Sequence, residues 1–67
     1  MKRIIMVGAG NLATQLGLAL AEVGFPIVQV FSRTKESAQD LAEKLNSEAI
    51  TDINSLRNDA DIYFFSV

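Results

Sequence analysis

Residues 4–13 read Ile-Ile-Met-Val-Gly-Ala-Gly-Asn-Leu-Ala, an apolar run leading directly into a Gly-x-Gly-x-x-Ala turn. Few structures suit such a run: a short buried strand, a tight turn, and a helix that starts at the turn. Gly8 permits the sharp exit from the strand, and Gly10 leaves main-chain N–H groups open to close approach. Ala13, one helical turn on, lets the helix lie close to the strand. The first N–H groups of a helix lack intrahelical acceptors and sit at the positive end of its dipole, so the turn offers donors to an anion. In this strand–turn–helix setting the motif is the phosphate cradle of a dinucleotide-binding βαβ unit, built from Gly8, Ala9, Gly10, Asn11, Leu12 and Ala13. Small residues at this spacing also occur in plain strand–helix turns, so the weight rests on what surrounds them.

The surroundings follow in the order the fold requires. Strand one spans about residues 2–7, and its consecutive apolar residues predict burial on both faces, as in a parallel sheet. Helix one spans about 11–23, with Leu12, Leu16, Leu20 and Val23 as its apolar stripe and Ala13 and Ala19 beside them. Gly24 supplies a left-handed C-cap and Phe25-Pro26 prevents continuation. Strand two covers 27–31, and helix two covers 35–45 with Thr34 as N-cap, Ala38, Leu41, Ala42 and Leu45 inward, and Asn46 closing it. Asp40 and Lys44 make an exposed i,i+4 pair. A short third strand near 48–50, a single turn capped by Asp52, and a fourth strand over 61–67 complete the chain. Met1, Met6, Phe25, Phe31, Tyr63, Phe64 and Phe65 are expected in the core. Right-handed crossovers predict an α/β, Rossmann-type doubly wound parallel sheet in the order 3-2-1-4, with both helices on one face.

Nothing in this run covers the second face. A chain of 67 residues is also short for a self-sufficient core. We therefore expect residues 1–67 to be the N-terminal part of a larger domain, with a small domain that hides this face in a dimer as the alternative. Net charge is −2, and the six basic residues are scattered without a patch, which disfavours nucleic acid as a partner. No apolar run reaches the roughly 18 residues of a membrane span, and the Met-Lys-Arg start leads into glycines rather than a signal-peptide core. Cysteine and histidine are absent, which excludes disulfides, thiolate metal sites, Cys nucleophiles and His bases, and suits a reducing cytoplasmic setting.

The end of strand two selects the nucleotide. Units that favour NAD or FAD place a carboxylate there, about 20 residues beyond the glycines, to bond a ribose 2′-hydroxyl. This chain has Ser32, followed by Arg33, Thr34 and Lys35. No acid stands there to repel a 2′-phosphate, and a guanidinium with two hydroxyls can bind one through charge-assisted hydrogen bonds. NADP(H) is the expected cofactor. Arg33 is otherwise a solvated surface residue, Thr34 serves as a helix cap in either case, and Lys35 is left open between the two roles. The missing acid also counts against a methyltransferase. Ser66 and Val67, at the carboxyl end of strand four near the topological switch point, either contact the cofactor or are simply a buried strand end.

With Gly8-Ala9-Gly10-Asn11-Leu12-Ala13 and Phe31-Ser32-Arg33-Thr34 placed, the chain resembles a known group. It is similar to the N-terminal Rossmann domain shared by pyrroline-5-carboxylate reductase, deazaflavin-dependent NADP oxidoreductase and the β-hydroxyacid dehydrogenases. The match looks strongest to bacterial Rossmann-like NADP oxidoreductases that carry a helical C-terminal domain. The resemblance implies an NADP(H)-dependent reductase acting on a small substrate, and a homodimer formed through that further domain. It carries over only the cofactor positions, since in such enzymes the catalytic groups lie largely beyond residue 67. The alternative is a non-catalytic NADP(H) sensor, which hydride transfer by the protein would separate from an enzyme.

Overall fold

A computed structural model describes residues 2–65. Four strands form one parallel sheet: β1 (Ile4–Val7), β2 (Ile27–Phe31), β3 (Glu48–Ile50) and β4 (Ile62–Phe65). Helices α1 (Asn11–Glu22) and α2 (Lys35–Leu45) connect β1 to β2 and β2 to β3. The spatial order is β3-β2-β1-β4, the Rossmann-like arrangement that the sequence predicts. Val7 pairs with Phe31 and with Phe65, so the strands end together and the turns that follow them share one edge.

Helix ends obey local chemistry. Gly24 adopts φ 97°, and its N–H donates to the Ala21 carbonyl while that of Phe25 donates to Leu20, both at 3.0 Å. Asn46 takes the same left-handed role after α2 at φ 56°, and Ser47 N–H donates to the Ala42 carbonyl at 2.8 Å. These bonds satisfy the last carbonyls of each helix. Lys44 and Asp40 pair at 3.3 Å on the exposed side of α2. Thr34 occupies the N-cap position but its side chain caps nothing; its own N–H instead donates to Ser32 Oγ. The Ser32 hydroxyl thereby closes a local turn, as short polar side chains do before a helix.

The core lies between the sheet and the helices. Ile4, Met6, Ile27 and Val30 meet Ala13, Leu41, Ala42 and Leu45, all buried. The inward face of α1 differs from the expected stripe: Leu12 and Val23 are 69% and 70% exposed, and Ala19 is exposed too. Ala13, Leu16 and Leu20 face inward as expected, and Gly17 joins them. The reason is close approach to α2, because a Cβ on Gly17 would stand 2.8 Å from Leu45 Cδ1. Gly17 leaves the room that this contact needs, and the helix face that carries it turns inward.

The second face is not bare. To reach β4 from β3 the chain must return across it, and a turn at Ile53–Ser55 lies on the way. Asp52 caps that turn by accepting from Asn54 N–H at 2.9 Å. Gln29, buried in mid-β2, anchors the segment: its Nε2 donates to Glu48 Oε1 at 2.8 Å and to the Ser55 carbonyl at 3.2 Å. Its Oε1 accepts from Arg57 N–H at 2.9 Å. Tyr63 adds a 2.6 Å bond from its hydroxyl to the Arg57 carbonyl, and Ile5 is fully buried beneath this cover. Cover runs out at β4, where Phe65 is 69% exposed, against its expected place in the core. Phe25, Phe31, Tyr63 and Phe64 are half-buried, while Met1 lies outside the described residues.

At the opposite edge, Asp59 accepts from Arg57 at 2.7 Å and pairs with Arg3 at 3.3 Å. The hydrogen bond from Arg57 holds the Asp59 carboxyl below the usual range, and Asp59 raises Arg57 in return. Both side chains are exposed to solvent, so the pairs guide the loop more than they stabilise it.

Candidate dinucleotide site

Two strand-to-helix turns meet at the carboxyl edge of the sheet. In the first, Gly8 has φ 119°, a conformation open to glycine, and its N–H donates to the Phe31 carbonyl at 2.7 Å. That amide is therefore spent on joining the two turns. Ala9 is half-buried and Ala13 fully buried, which seats α1 on the sheet. Gly10 is the N-cap of α1 at φ −79°, ψ −171°, ordinary extended backbone. A Cβ there would meet nothing within 4 Å. Neither conformation nor internal packing demands glycine at this position; what its lack of a side chain leaves is clear space before the helix.

The N–H groups of Asn11, Leu12 and Ala13 head that space. The first helical amide with an intrahelical acceptor is that of Thr14, which donates to the Gly10 carbonyl at 2.9 Å. No side chain caps the helix, and its first turn holds no acidic residue. Donors without a side-chain cap at the positive end of a helix suit a pyrophosphate. Asn11 and Leu12 are exposed, so both side chains stand clear of the core.

The second turn lies beside the first, since Val7 and Phe31 are register partners. Ser32 N–H donates to the Ile50 carbonyl at 3.2 Å, tying the corner to β3. Ser32 Oγ accepts from Thr34 N–H at 3.4 Å, which folds the backbone so that Arg33 lies at the apex. Arg33, Thr34 and Lys35 are exposed, and among the described residues neither Arg33 nor Lys35 makes an ion pair. Glu36 enters one residue later, in the first turn of α2. The structure thus brings Gly8–Ala13 and Ser32–Lys35 to one edge. Ser66 and Val67 lie outside the described residues.

Sequence reasoning passed over Gln29 and Gly17. A lone glutamine in the apolar run Ile27-Val28-Gln29-Val30-Phe31 was the available signal for the first. Gly17 carried none, because its partner Leu45 is distant in sequence. A cavity of about 300 Å³, lined by Gly24, Phe25, Pro26 and Ile27, sits at the amino edge of β2, away from both turns.

Comparison with known proteins agrees with this fold. The class is that of the oxidoreductase-like, NAD(P)-binding Rossmann domains. Within it, residues 1–67 match the shikimate/quinate 5-dehydrogenase family, and the chain belongs to that family. Glutamyl-tRNA reductases are among its relatives: 45% identity over 49 residues in Methanococcus aeolicus and 37% over 67 residues in Staphylococcus carnosus. Those alignments cover 73% and 97% of this chain but 13% and 15% of the relatives. A Bacteroides fragilis protein, provisionally named an NADP oxidoreductase, superposes with a TM-score of 0.97 at 48% identity. That match covers 98% of this chain and 26% of the other. A Desulfitobacterium hafniense structure shares the fold at 17% identity and a TM-score of 0.78, over 97% of this chain and 20% of that one. The chain therefore spans a small part of the length of the proteins it matches. No helix of the described residues is long and apolar enough to cross a membrane.

Proposed function

We propose that this chain is the NADP(H)-binding part of an oxidoreductase that exchanges hydride between the nicotinamide and a small substrate. The observation that carries the reading is the pairing of two unlike turns at one sheet edge. One offers bare main-chain donors behind open space at Gly10, and the other offers the uncommitted Arg33 guanidinium with no carboxylate beside it. The first suits a pyrophosphate, and the second suits the 2′-phosphate that separates NADP(H) from NAD(H). Ser32 and Thr34 add hydroxyl groups, and Lys35 adds a second positive charge within reach. The names of the relatives, all reductases, dehydrogenases or oxidoreductases, support hydride transfer as the chemistry.

Within that class we place the chain beside pyrroline-5-carboxylate reductase and the deazaflavin-dependent NADP oxidoreductases, on the strength of Gly-Ala-Gly-Asn-Leu-Ala and Ser-Arg-Thr. On this reading a further, helical domain completes the substrate site and forms a homodimer, and the enzyme works in the cytoplasm. When bound, the cofactor supplies the reactive hydride. The residues of this chain hold its diphosphate against α1 and its 2′-phosphate against the β2–α2 corner.

Titration of the protein with NADPH and NADH, read by nicotinamide fluorescence, tests the proposal. Tight NADPH binding with weaker NADH binding is the expected result. Equal affinities would remove the 2′-phosphate assignment, and no binding of either would remove the site.

A further inference from the structure

Thr14 donates its hydroxyl proton to the Gly10 carbonyl at 3.0 Å, alongside its own N–H at 2.9 Å. The carbonyl of Gly10 and the N–H of Asn11 belong to a single planar trans peptide, so they point in opposite directions. Two donors pulling that carbonyl along the helix fix the plane from one side. They thereby aim the Asn11 N–H outward, into the space that Gly10 leaves clear. Glycine at the N-cap gives this peptide little steric restraint of its own, since no side chain limits the rotation of Gly10. We infer that Thr14 is a positioning residue for the diphosphate cradle: its hydroxyl holds the Gly10–Asn11 peptide in the orientation that donates to an anion.

The inference rests on the dinucleotide reading above and adds a residue outside the glycine motif. A hydroxyl bonded to the carbonyl four residues back is common in helices, where it slightly destabilises them. Here it falls on the one carbonyl whose peptide carries the first donor of the cradle. Thr14 is half-buried, and a valine of nearly the same shape keeps its packing while removing the donor.

The pyrophosphate is common to both nicotinamide cofactors, which separates this role from that of Arg33. Thr14→Val and Thr14→Ala should weaken NADPH and NADH by the same factor, about three- to tenfold, the scale of one neutral hydrogen bond. Thr14→Ser, which keeps the hydroxyl, should bind as the parent does. Alanine favours the helix over threonine, so a loss of affinity in Thr14→Ala with an unchanged or raised melting temperature cannot come from unfolding. Unchanged affinity of Thr14→Val and Thr14→Ala in a protein that itself binds NADPH would overturn the inference and leave the dinucleotide reading intact. A loss confined to NADPH would overturn it as well, by moving the effect to the 2′-phosphate. Failure of the parent protein to bind either cofactor would overturn both readings together.

Discussion

The β1–α1 turn and the β2–α2 turn stand side by side, follow paired strand residues and open onto the same edge, yet they are built oppositely. The first is stripped of side chains, with Gly8 and Gly10 flanking Ala9 and no capping group on the helix. The second is crowded with them, Ser32, Arg33, Thr34 and Lys35 in succession. Backbone donors recognise any phosphate that fits, so on the proposed reading the first turn sets whether a dinucleotide binds. Side chains carry charge that only NADP(H) could use, so on the same reading the second sets which cofactor binds. General affinity and discrimination are, on that proposal, separated into two adjacent turns, which substitutions can probe one at a time.

Gly10→Val is the most severe way to break the first turn. At φ −79°, ψ −171° valine adopts the backbone without strain, and its Cβ meets no neighbour within 4 Å, so the fold persists. Its branches fill the space the phosphates need. Affinity for NADPH and NADH should both fall by at least about a hundredfold, about 3 kcal/mol. Circular dichroism unchanged from the parent, together with fluorescence titration, checks this. Retained tight binding would place the cradle elsewhere.

Arg33→Ala addresses the second turn alone. Loss of a charge-assisted hydrogen bond costs about 1.5–3 kcal/mol, so NADPH should weaken roughly ten- to a hundredfold while NADH stays near its parent value. An equal effect on both cofactors would erase the distinction between the turns. Gln29→Leu serves as the contrast, since it touches neither. Its three hydrogen-bond partners lie close enough to solvent for water to replace part of what is lost, so stability should fall by about 1–2 kcal/mol. The ratio of NADPH to NADH affinity should not move, as urea unfolding paired with titration would establish.

Asp59→Asn should act most weakly. Arg57 depresses the pKa of Asp59, so the carboxylate contributes stability above its unfolded pKa and loses that contribution as pH falls through the lower folded value. The melting temperature of the parent should therefore exceed that of the variant slightly at neutral pH. The gap should close below about pH 4. A gap that persists in acid would mean the carboxylate acts through something other than its charge.

Much of this molecule was readable in one dimension. The bounds of β2, α2 and β3, the left-handed caps at Gly24 and Asn46, and the Asp40–Lys44 pair follow from rules that act over four or five residues. Such rules need only neighbours along the chain. The facing of α1 was readable only in part, because Leu12 and Val23 satisfy an apolar period as well as Leu16 and Leu20 do. The closeness of α2, measured at Gly17 and Leu45, decided which set turned inward.

The same division runs through the site. Local chemistry established the glycine turn, the missing carboxylate after β2 and the alternation of strands and helices that yields the 3-2-1-4 sheet. Only packing in three dimensions brought the return segment over Ile5, bonded Gln29 into it and aligned the two turns through the Gly8 to Phe31 bond. Those outcomes depend on pairs 19 to 28 residues apart. Contacts of that kind take shape when strands pair and faces bury, and no periodicity records them.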